Sequence, residues 1–460
     1  MKALFVICLL SVATLVATET FQGVVEKVYS SKGLIDHYKS IIKRSYATFE
    51  NSDMGTVSDN TGFWIFGTSM TIKKTSVDAM SFGDIAGVNY ADNEYVFSVN
   101  PFVGDLHYTW SYNIAVAPFS HKSVCKFTVK PYKLKIKFDL VKDKLSVDRH
   151  IEYSQPPTLE CDDKDIEDKS QYKWMKELRD TTYTEKLGEY FQKAINTWLD
   201  KVDTVFIAST QATLDDLDFA LKPHLKEISP GSGATLQIGY NYDITLMKKK
   251  ATPVPTQERK TLQSGGDLTM YFFEEFFQSM LELDKKTVSF WTAISQANLP
   301  DGSTFGMTAN DFRYIIDGMN KYSKDTPIDV GCEYGESDPL VQLNTTGVHL
   351  VMPIACSLRA GTSKVLDATF TMTVTSQPAI DSNGTVSLKN PTYLIENFEA
   401  NNIVGKKVLK EYLVNRIIEY TSLQNPFGDM TYEHGQFEDL KQLRIQTGEK
   451  FIKITAEIPD

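Results

Sequence analysis

The residues of this chain that could carry out chemistry do not form a catalytic or metal-binding pattern. The sequence has no His-Glu-x-x-His metal motif, no Gly-x-Ser-x-Gly nucleophile turn and no Gly-x-x-x-x-Gly-Lys phosphate loop. Residues 162–174 begin like a calcium-binding loop, but Asp168 stands where glycine is needed and Trp174 where glutamate is needed. We therefore predict a protein that is not an enzyme and that has no cofactor and no metal. A hydrolase is an alternative only if folding gathers distant serine, histidine and aspartate residues.

The N-terminal residues read as a secretory signal peptide. Lys2 supplies the positive start, residues 3–15 form a short apolar core, and residues 16–18 are small enough for cleavage. A membrane anchor is the alternative, but the apolar run is short and no second run follows. We therefore expect a secreted, extracellular protein that loses about its first 18 residues.

Four cysteines remain after the signal peptide, which removes Cys8. An even number in an oxidising compartment predicts disulfides. Three pairings are open, and the local one, Cys125 with Cys161 and Cys332 with Cys356, closes the shortest loops. Zinc is disfavoured because the sequence has no Cys-x-x-Cys spacing.

Composition and charge limit the class of partner. The 460 residues are 42% apolar and 23% charged, and their formal net charge is −11. A negative balance disfavours nucleic acid as the main partner. The sequons at Asn344 and Asn383 predict a glycosylated surface in the second half.

The elements read as long strands mixed with amphipathic helices. Residues 105–118 alternate apolar and polar side chains, as do 132–140, 348–358 and 368–374, which is typical of antiparallel strands with one apolar face. Helical spacing predicts helices within 24–49, 182–206, 267–283, 310–322 and 404–420. The resulting domain prediction is a signal peptide at 1–18, an N-terminal lipid-binding barrel at 19–240, a linker and central sheet at 241–265, and a C-terminal lipid-binding barrel at 266–460.

A curved sheet around an amphipathic helix leaves an apolar gap that suits a lipid tail. Burying a sixteen-carbon chain there contributes on the order of 10 kcal/mol before the costs of association. The apolar faces suggest two sets of lining residues. The first pocket is predicted to contain Val28, Ile35, Tyr38, Phe191, Ile195 and Trp198, and the second Phe273, Phe276, Met280, Leu413 and Ile417.

Several short motifs occur in an order that resembles a known family. They are "SSKGLIDHY", Cys125 with Cys161, the prolines near 253–255, "DLTMYFFEEFF" and "LPDGSTF". The chain resembles the secreted lipid-binding proteins related to bactericidal/permeability-increasing protein, lipopolysaccharide-binding protein, and the phospholipid and cholesteryl ester transfer proteins.

The resemblance implies an α+β fold. Two elongated barrels of long antiparallel strands, each wrapping amphipathic helices, would join through a central sheet into a boomerang. Gly33 and Leu34 match the first helix of the family, and Cys125 with Cys161 matches its disulfide. Cys332 and Cys356 have no expected counterpart and suggest an extra link in the second barrel.

We therefore expect a lipid carrier or transfer protein. Its partners would be a phospholipid or another lipid and, transiently, a membrane or lipid-particle surface, without nucleic acid. The cationic strand turns of the endotoxin binders are missing, since "VNYADNEY" is acidic. Recognition of microbial lipid or lipopolysaccharide in host defence is the alternative, and a structural extracellular glycoprotein is another.

Overall fold

A computed structural model describes most of the chain after the predicted signal peptide. The described residues are 25–50, 57–63, 66–78, 84–114, 117–142, 144–155, 158–161, 200, 214–216, 219–231, 233–246, 249–251, 262–287, 292–295, 306–381, 386–404, 407–424, 431–432 and 440–458. The predicted signal peptide, most of 182–206 with Phe191, Ile195 and Trp198, and the sequon residue Asn383 lie outside them.

Long strands dominate the first part of the chain, with one helix near its start. In chain order they are β1 (Val25–Tyr29), α1 (Ser31–Glu50), β2 (Val57–Phe63), β3 (Phe66–Asp78), β4 (Ile85–Ala91), β5 (Glu94–Val99), β6 (Phe102–Ile114), β7 (Ala117–Val129), β8 (Tyr132–Val141), β9 (Lys144–Tyr153) and β10 (Thr158–Cys161).

The second part has the same character and holds the longest strands. In chain order its elements are β11 (Leu214–Asp216), β12 (Phe219–Gly231), β13 (Thr235–Leu246), β14 (Lys249–Lys250), β15 (Leu268–Phe273), α2 (Glu274–Thr287), β16 (Thr292–Ile294), α3 (Ala309–Phe312), β17 (Ile328–Tyr334), β18 (Leu340–Asn344), β19 (Gly347–Ala360), β20 (Ser363–Ile380), β21 (Val386–Ala400), α4 (Lys407–Gln424), β22 (Thr431–Tyr432), β23 (Lys441–Gly448) and β24 (Phe451–Glu457).

The described strands form four sheets. One has the order β11-β12-β13-β1-β15-β24-β23 with β14 beside β13, and a second has the order β16-β17-β19-β20-β21-β22 with β18 beside β19. The other two have the orders β10-β7-β6-β3-β2 and β4-β5-β8-β9. The long pairs, such as β6 with β7 and β19 with β20, are antiparallel, as predicted. Within the described residues each sheet order is open, so the two barrels and the boomerang stay predictions.

Contacts divide the chain into two compact units. The first is drawn from Met1–Val28, Ala212–Ser229 and Gln237–Ile458, and the second from Tyr29–Gln211, Pro230–Leu236 and Pro459–Asp460. The first therefore contains most of the eight-stranded sheet and all of the seven-stranded sheet. The second contains the four- and five-stranded sheets with α1. The predicted domain boundaries are not tested by this division and stay a prediction.

The first predicted helix, 24–49, is shorter in the structure and follows a strand. All five residues of β1 are buried, and a strand covered on both faces cannot be told from a helical stripe by its apolar spacing alone. Ser30 marks the change, because its Oγ accepts a hydrogen bond from Gly33 N at 2.9 Å, as a helix N-cap does. Val28 is therefore a strand residue, whereas Leu34 and Tyr38 are helical.

Two other predicted helices also differ from the structure. Within 267–283, residues Leu268–Phe273 form β15 and the helix α2 begins only at Glu274. In place of the helix predicted over 310–322, α3 ends at Phe312, and a single 3-10 turn, Met319–Lys321, follows Gly318, which has φ 75° in the left-handed region. The helix predicted within 404–420 is confirmed as α4.

The strand predicted over 105–118 is interrupted. β6 ends at Ile114, and β7 begins at Ala117, which is its register partner. The same sheet places Cys161 directly opposite Cys125 across the β10 and β7 pair. That register agrees with the pairing that the resemblance implies, while the two side chains lie outside the described residues. In the described part of the chain, no helix is long and apolar enough to cross a membrane.

Candidate functional site

The seven-stranded sheet and α4 enclose the largest apolar cluster described. Many of its buried members come from the inner faces of β19 and β20, and others come from residues 307–319, from β17, from β21 and from Leu413 of α4. Phe370 and Phe398 stack with their ring centroids 6.0 Å apart. Alternation explains the set, because β19 and β20 bury every second residue over most of their length.

One side of α4 is apolar but only partly covered by that sheet. Leu413 is buried at 7% exposure, whereas Val414, Ile417 and Ile418 pack against the same cluster and stay half-buried. We call Leu413, Val414, Ile417 and Ile418 the α4 strip. Half-buried Leu350 and Tyr393 of the sheet border the same cluster. The strip therefore offers apolar surface that an apolar guest could cover.

Two β-bulges bend the sheet beside α4. The β20–β21 register slips once between Thr369 and Thr371 and again between Thr375 and Gln377. Each slip adds one residue to β21, and each extra stretch contains an asparagine in the left-handed region, Asn397 at φ 53° and Asn390 at φ 51°. Bulges increase the local twist and bend the strand. Both bulges lie in β21, the strand that α4 contacts.

A disulfide links two neighbouring strands of this sheet. Cys332 and Cys356 are register partners on β17 and β19 and are bonded at an S–S distance of 2.05 Å. The predicted pairing of these two cysteines is confirmed. Asn344 lies at the β18–β19 hairpin, where its Oδ1 accepts hydrogen bonds from Thr346 N at 2.8 Å and Thr346 Oγ1 at 2.6 Å. Its glycosylation stays a prediction.

The helix α2 is bound to the seven-stranded sheet by polar contacts. Tyr334 on β17 donates a hydrogen bond to Asp284 Oδ2 at 2.7 Å. Burial, with the carboxylate of Asp284 beside it, raises the pKa of the Tyr334 hydroxyl well above its ordinary value. The hydroxyl is therefore a fixed donor and has no use as an acid–base group near neutral pH.

The residues predicted for the second pocket fall into different places. Leu413 and Ile417 belong to the α4 strip, while Phe273 lies in a separate cluster with Val28 and Tyr271 on the eight-stranded sheet. The Phe276 ring contacts Phe272 at 5.9 Å, away from α4. Met280 is half-buried on α2. The structure thus joins two of these five residues at α4.

The residues predicted for the first pocket are also distributed. Val28 is in the cluster with Phe273 just described. Tyr38 on α1 is fully buried with its ring centroid 5.2 Å from that of Phe97, and Ile35 is half-buried on the same helix. Phe191, Ile195 and Trp198 lie outside the described residues. Tyr38 thus contributes to a packed core.

Sequence reasoning overlooked several residues around α4. Val414 and Ile418 flank the predicted Ile417, and Tyr393 faces the same cluster from β21. A signal existed for the first two, since residues 413, 414, 417 and 418 follow the i, i+1, i+4, i+5 spacing of one broad helix face. Tyr393 carried no signal because the bulges of β21 interrupt its alternation.

The described residues contain no metal-binding group. No three His, Cys, Asp or Glu side chains among them come together as ligands. The arrangement at α4 is a partly exposed surface of apolar side chains beside a buried cluster that includes Cys332 and Cys356.

Comparisons with known proteins find weak structural similarity. No protein-family model matches the chain, and no curated protein matches its sequence. It is similar to the crystal structure of a lipopolysaccharide binding protein with a TM-score of 0.47 and 10% identity, over 95% of this chain and 99% of that one.

Two bacterial structures are also similar. They are P47 of Clostridium botulinum E1, with a TM-score of 0.31 and 9% identity, and P47 from Clostridium botulinum A2, with 0.29 and 10%. Each similarity covers 96% of this chain and all of the other. Scores this low establish no shared function, so the site is interpreted from its own residues.

Proposed function

We propose that this chain is a secreted protein that binds a phospholipid or a similar amphiphile and holds its tails against the α4 strip. The observation that carries the proposal is the half-buried state of Val414, Ile417 and Ile418 beside a large buried cluster. Partly exposed apolar side chains that lie side by side on one helix face favour an apolar guest.

The energy available is adequate for capture. Each methylene removed from water contributes about 0.8 kcal/mol, so even half of a sixteen-carbon tail would contribute about 6 kcal/mol before association costs. No reaction is needed for this role, and we propose a carrier and not an enzyme. The predicted signal peptide and the bonded cysteine pair support an extracellular location.

Native mass spectrometry of the gently purified protein tests the proposal. We expect co-bound lipid in the wild type. The substitution Ile417→Trp fills the α4 strip and should lower lipid occupancy by about tenfold, which corresponds to about 1.4 kcal/mol. Asn415→Trp, at an exposed position of the same helix, is the matched control and should leave occupancy unchanged.

Two results would contradict the proposal. A wild-type protein that carries no lipid after exposure to phospholipid vesicles would favour a structural glycoprotein. Equal occupancy in the wild type and in Ile417→Trp would remove α4 from the site. Tight, salt-sensitive binding to lipopolysaccharide micelles would instead favour the host-defence alternative, because that signature belongs to charge pairing.

A further inference from the structure

A buried glutamine on the eight-stranded sheet has unsatisfied polar atoms. Gln237 on β13 is 1% exposed, and neither its Nε2 nor its Oε1 has a hydrogen-bond partner among the described residues. Buried amide groups in native proteins are nearly always hydrogen-bonded, and an exception calls for a ligand, a water or another explanation. Among the described residues, Gln237 has neither an acceptor for its N–H groups nor a donor for its oxygen.

Two acidic side chains lie on the same face of the sheet as Gln237. Gly239 is two residues further along β13, and side chains two apart on a strand share a face. The Glu26 carboxylate occupies the space beside Gly239. Its Oε1 and Oε2 lie 2.8 and 2.9 Å from the position that a Cβ on residue 239 would take. Glu227 Cγ lies 2.9 Å from the same position. Glycine at 239 thus makes room for the acids.

An aromatic cluster borders this polar patch. Val28 follows Glu26 by two residues on β1 and packs with Tyr271 and Phe273. The Phe451 ring is edge-on to the Tyr271 ring at a centroid distance of 5.3 Å. Along β1, this face of the sheet therefore changes from acidic and amide groups to aromatic rings within two residues. A site that binds the junction between a lipid headgroup and its tails needs the same change from polar to apolar groups.

We infer that Gln237, Glu26 and Glu227 recognise a phosphate headgroup that carries an ammonium group, as in phosphatidylethanolamine. This inference rests on the proposed lipid binding and adds a headgroup contact on the eight-stranded sheet, in a cluster separate from the α4 strip. A phosphate oxygen accepts from Gln237 Nε2–H, while the ammonium donates to Gln237 Oε1 and is attracted by the two carboxylates. A bare cation would bind only the amide oxygen and leave the N–H groups unsatisfied.

The site has to open before it binds. Glu26 is 0% exposed and Gln237 is 1% exposed. A headgroup therefore reaches these two side chains only after the structure around them opens locally. Binding through a minor open state lowers the apparent affinity and slows association. Lipid uptake is therefore expected to be slow and to accelerate strongly on warming.

Competitive uptake from vesicles tests the inference. The full-length protein is incubated with vesicles that contain phosphatidylethanolamine and phosphatidylglycerol with identical acyl chains, and bound lipid is measured by mass spectrometry. We expect at least about tenfold preference for phosphatidylethanolamine, as hydrogen bonds to charged groups supply. Gln237→Met should abolish that preference and keep total uptake. Gln446→Met, an exposed position on β23 of the same sheet, should keep both.

A second variant guards against a folding defect in the first. Gly239→Ala places a methyl group where the Glu26 carboxylate lies and should also remove the preference. Equal uptake of the two lipids by the wild type, or a preference that survives Gln237→Met, overturns the inference and leaves the proposed function standing.

Other outcomes separate the two ideas. If the wild-type protein takes up no lipid at all, both the proposed function and the inferred headgroup recognition are overturned. If soluble phosphoethanolamine raises the melting temperature but the protein takes up no vesicle lipid, the ligand is a free soluble molecule. The inference that the site binds a lipid headgroup is then overturned.

Discussion

Lys27 carries an ammonium group into the interior of the eight-stranded sheet. It is 5% exposed, and its Nζ lies 5.3 Å from the centroid of the Tyr240 ring. Burial lowers its pKa from an ordinary value of 10.5 to about 8. Between these values the unfolded chain binds more protons at this position than the folded one, so stability rises with pH across that window.

Replacing this lysine should stabilise the protein at neutral pH. Lys27→Met removes a charge penalty on the order of 3 kcal/mol at most, since one pKa unit corresponds to about 1.36 kcal/mol. We expect a higher free energy of unfolding in urea at pH 7 and a smaller gain at pH 9.5. Lys133→Met, at an exposed position of β8, is the control and should show no such pattern.

The test must stop near pH 10. Burial raises the pKa of Tyr29 and Tyr132 far above the ordinary value of 10.0, so their ionisation in the unfolded chain lowers stability above that pH. An unchanged pH dependence in Lys27→Met between pH 7 and 9.5 would show that the ammonium group is solvated in the folded protein.

The sequence does not reveal this burial. The segment "VEKVY" contains adjacent charges, which normally mark a solvated face, yet all five residues are buried. What covers a strand is decided by residues far away in the chain, and no local pattern records it. For the same reason the sequence does not predict the burial of Gln237 and Glu26. It does predict the burial of Tyr38 and Leu413, because helical spacing marks a buried face.

At the scale of elements, α2 covers the edge of β18. Gln278 Oε1 accepts a hydrogen bond from Val341 N at 2.8 Å, and its Nε2 donates to Pro339 O at 2.8 Å. Glu274 Oε2 accepts from Leu343 N one helical turn away. Unpaired strand edges promote aggregation, so these side chains take the place of a neighbouring strand.

Gln278→Met should destabilise the protein and expose that edge. The change leaves a backbone N–H and a carbonyl without partners, at a cost of about 1–3 kcal/mol. We expect a lower urea midpoint and faster aggregation on warming. Gln342→Met, an exposed residue on β18 itself, should behave like the wild type. Equal midpoints would mean that water replaces the helix at this edge.

The β21 bulges offer a second test at the same scale. Asn397 is exposed and adopts φ 53°, where a side chain without a local hydrogen bond costs about 1–2 kcal/mol. Asn397→Ala should therefore lower the free energy of unfolding by about 1 kcal/mol, while Asn397→Gly should maintain it. If the two variants are equally stable in urea, the bulge has relaxed into a regular strand.

Strand periodicity explains why some elements were predictable. Residues 348–358 and 368–374 alternate because one face meets the cluster at α4, and β19 and β20 are found there. The boundaries between strands and helices were harder to predict. The change from β15 to α2 occurs inside a continuous aromatic run, where Phe272 belongs to the strand and Phe276 to the helix. Apolar residues fit both periods, so the sequence does not mark the junction.

At the scale of the whole molecule, each compact unit has its own core. One includes Leu34, Tyr38 and Phe97, and the other is the cluster around Phe370. Units with separate cores can unfold in separate transitions. The Cys332–Cys356 disulfide spans 24 residues within one unit, and closing such a loop contributes about 3.5 kcal/mol in the chain-entropy model.

Removing that disulfide should therefore affect one transition and spare the other. In differential scanning calorimetry of the double variant Cys332→Ala and Cys356→Ala, we expect one melting temperature to fall by several degrees. The transition of the unit with Tyr38 should stay in place, and lipid occupancy should fall because the sheet beside α4 loses its covalent link. Equal shifts in both transitions would show that the molecule unfolds as one cooperative body, since a local loss of loop closure then destabilises every core at once.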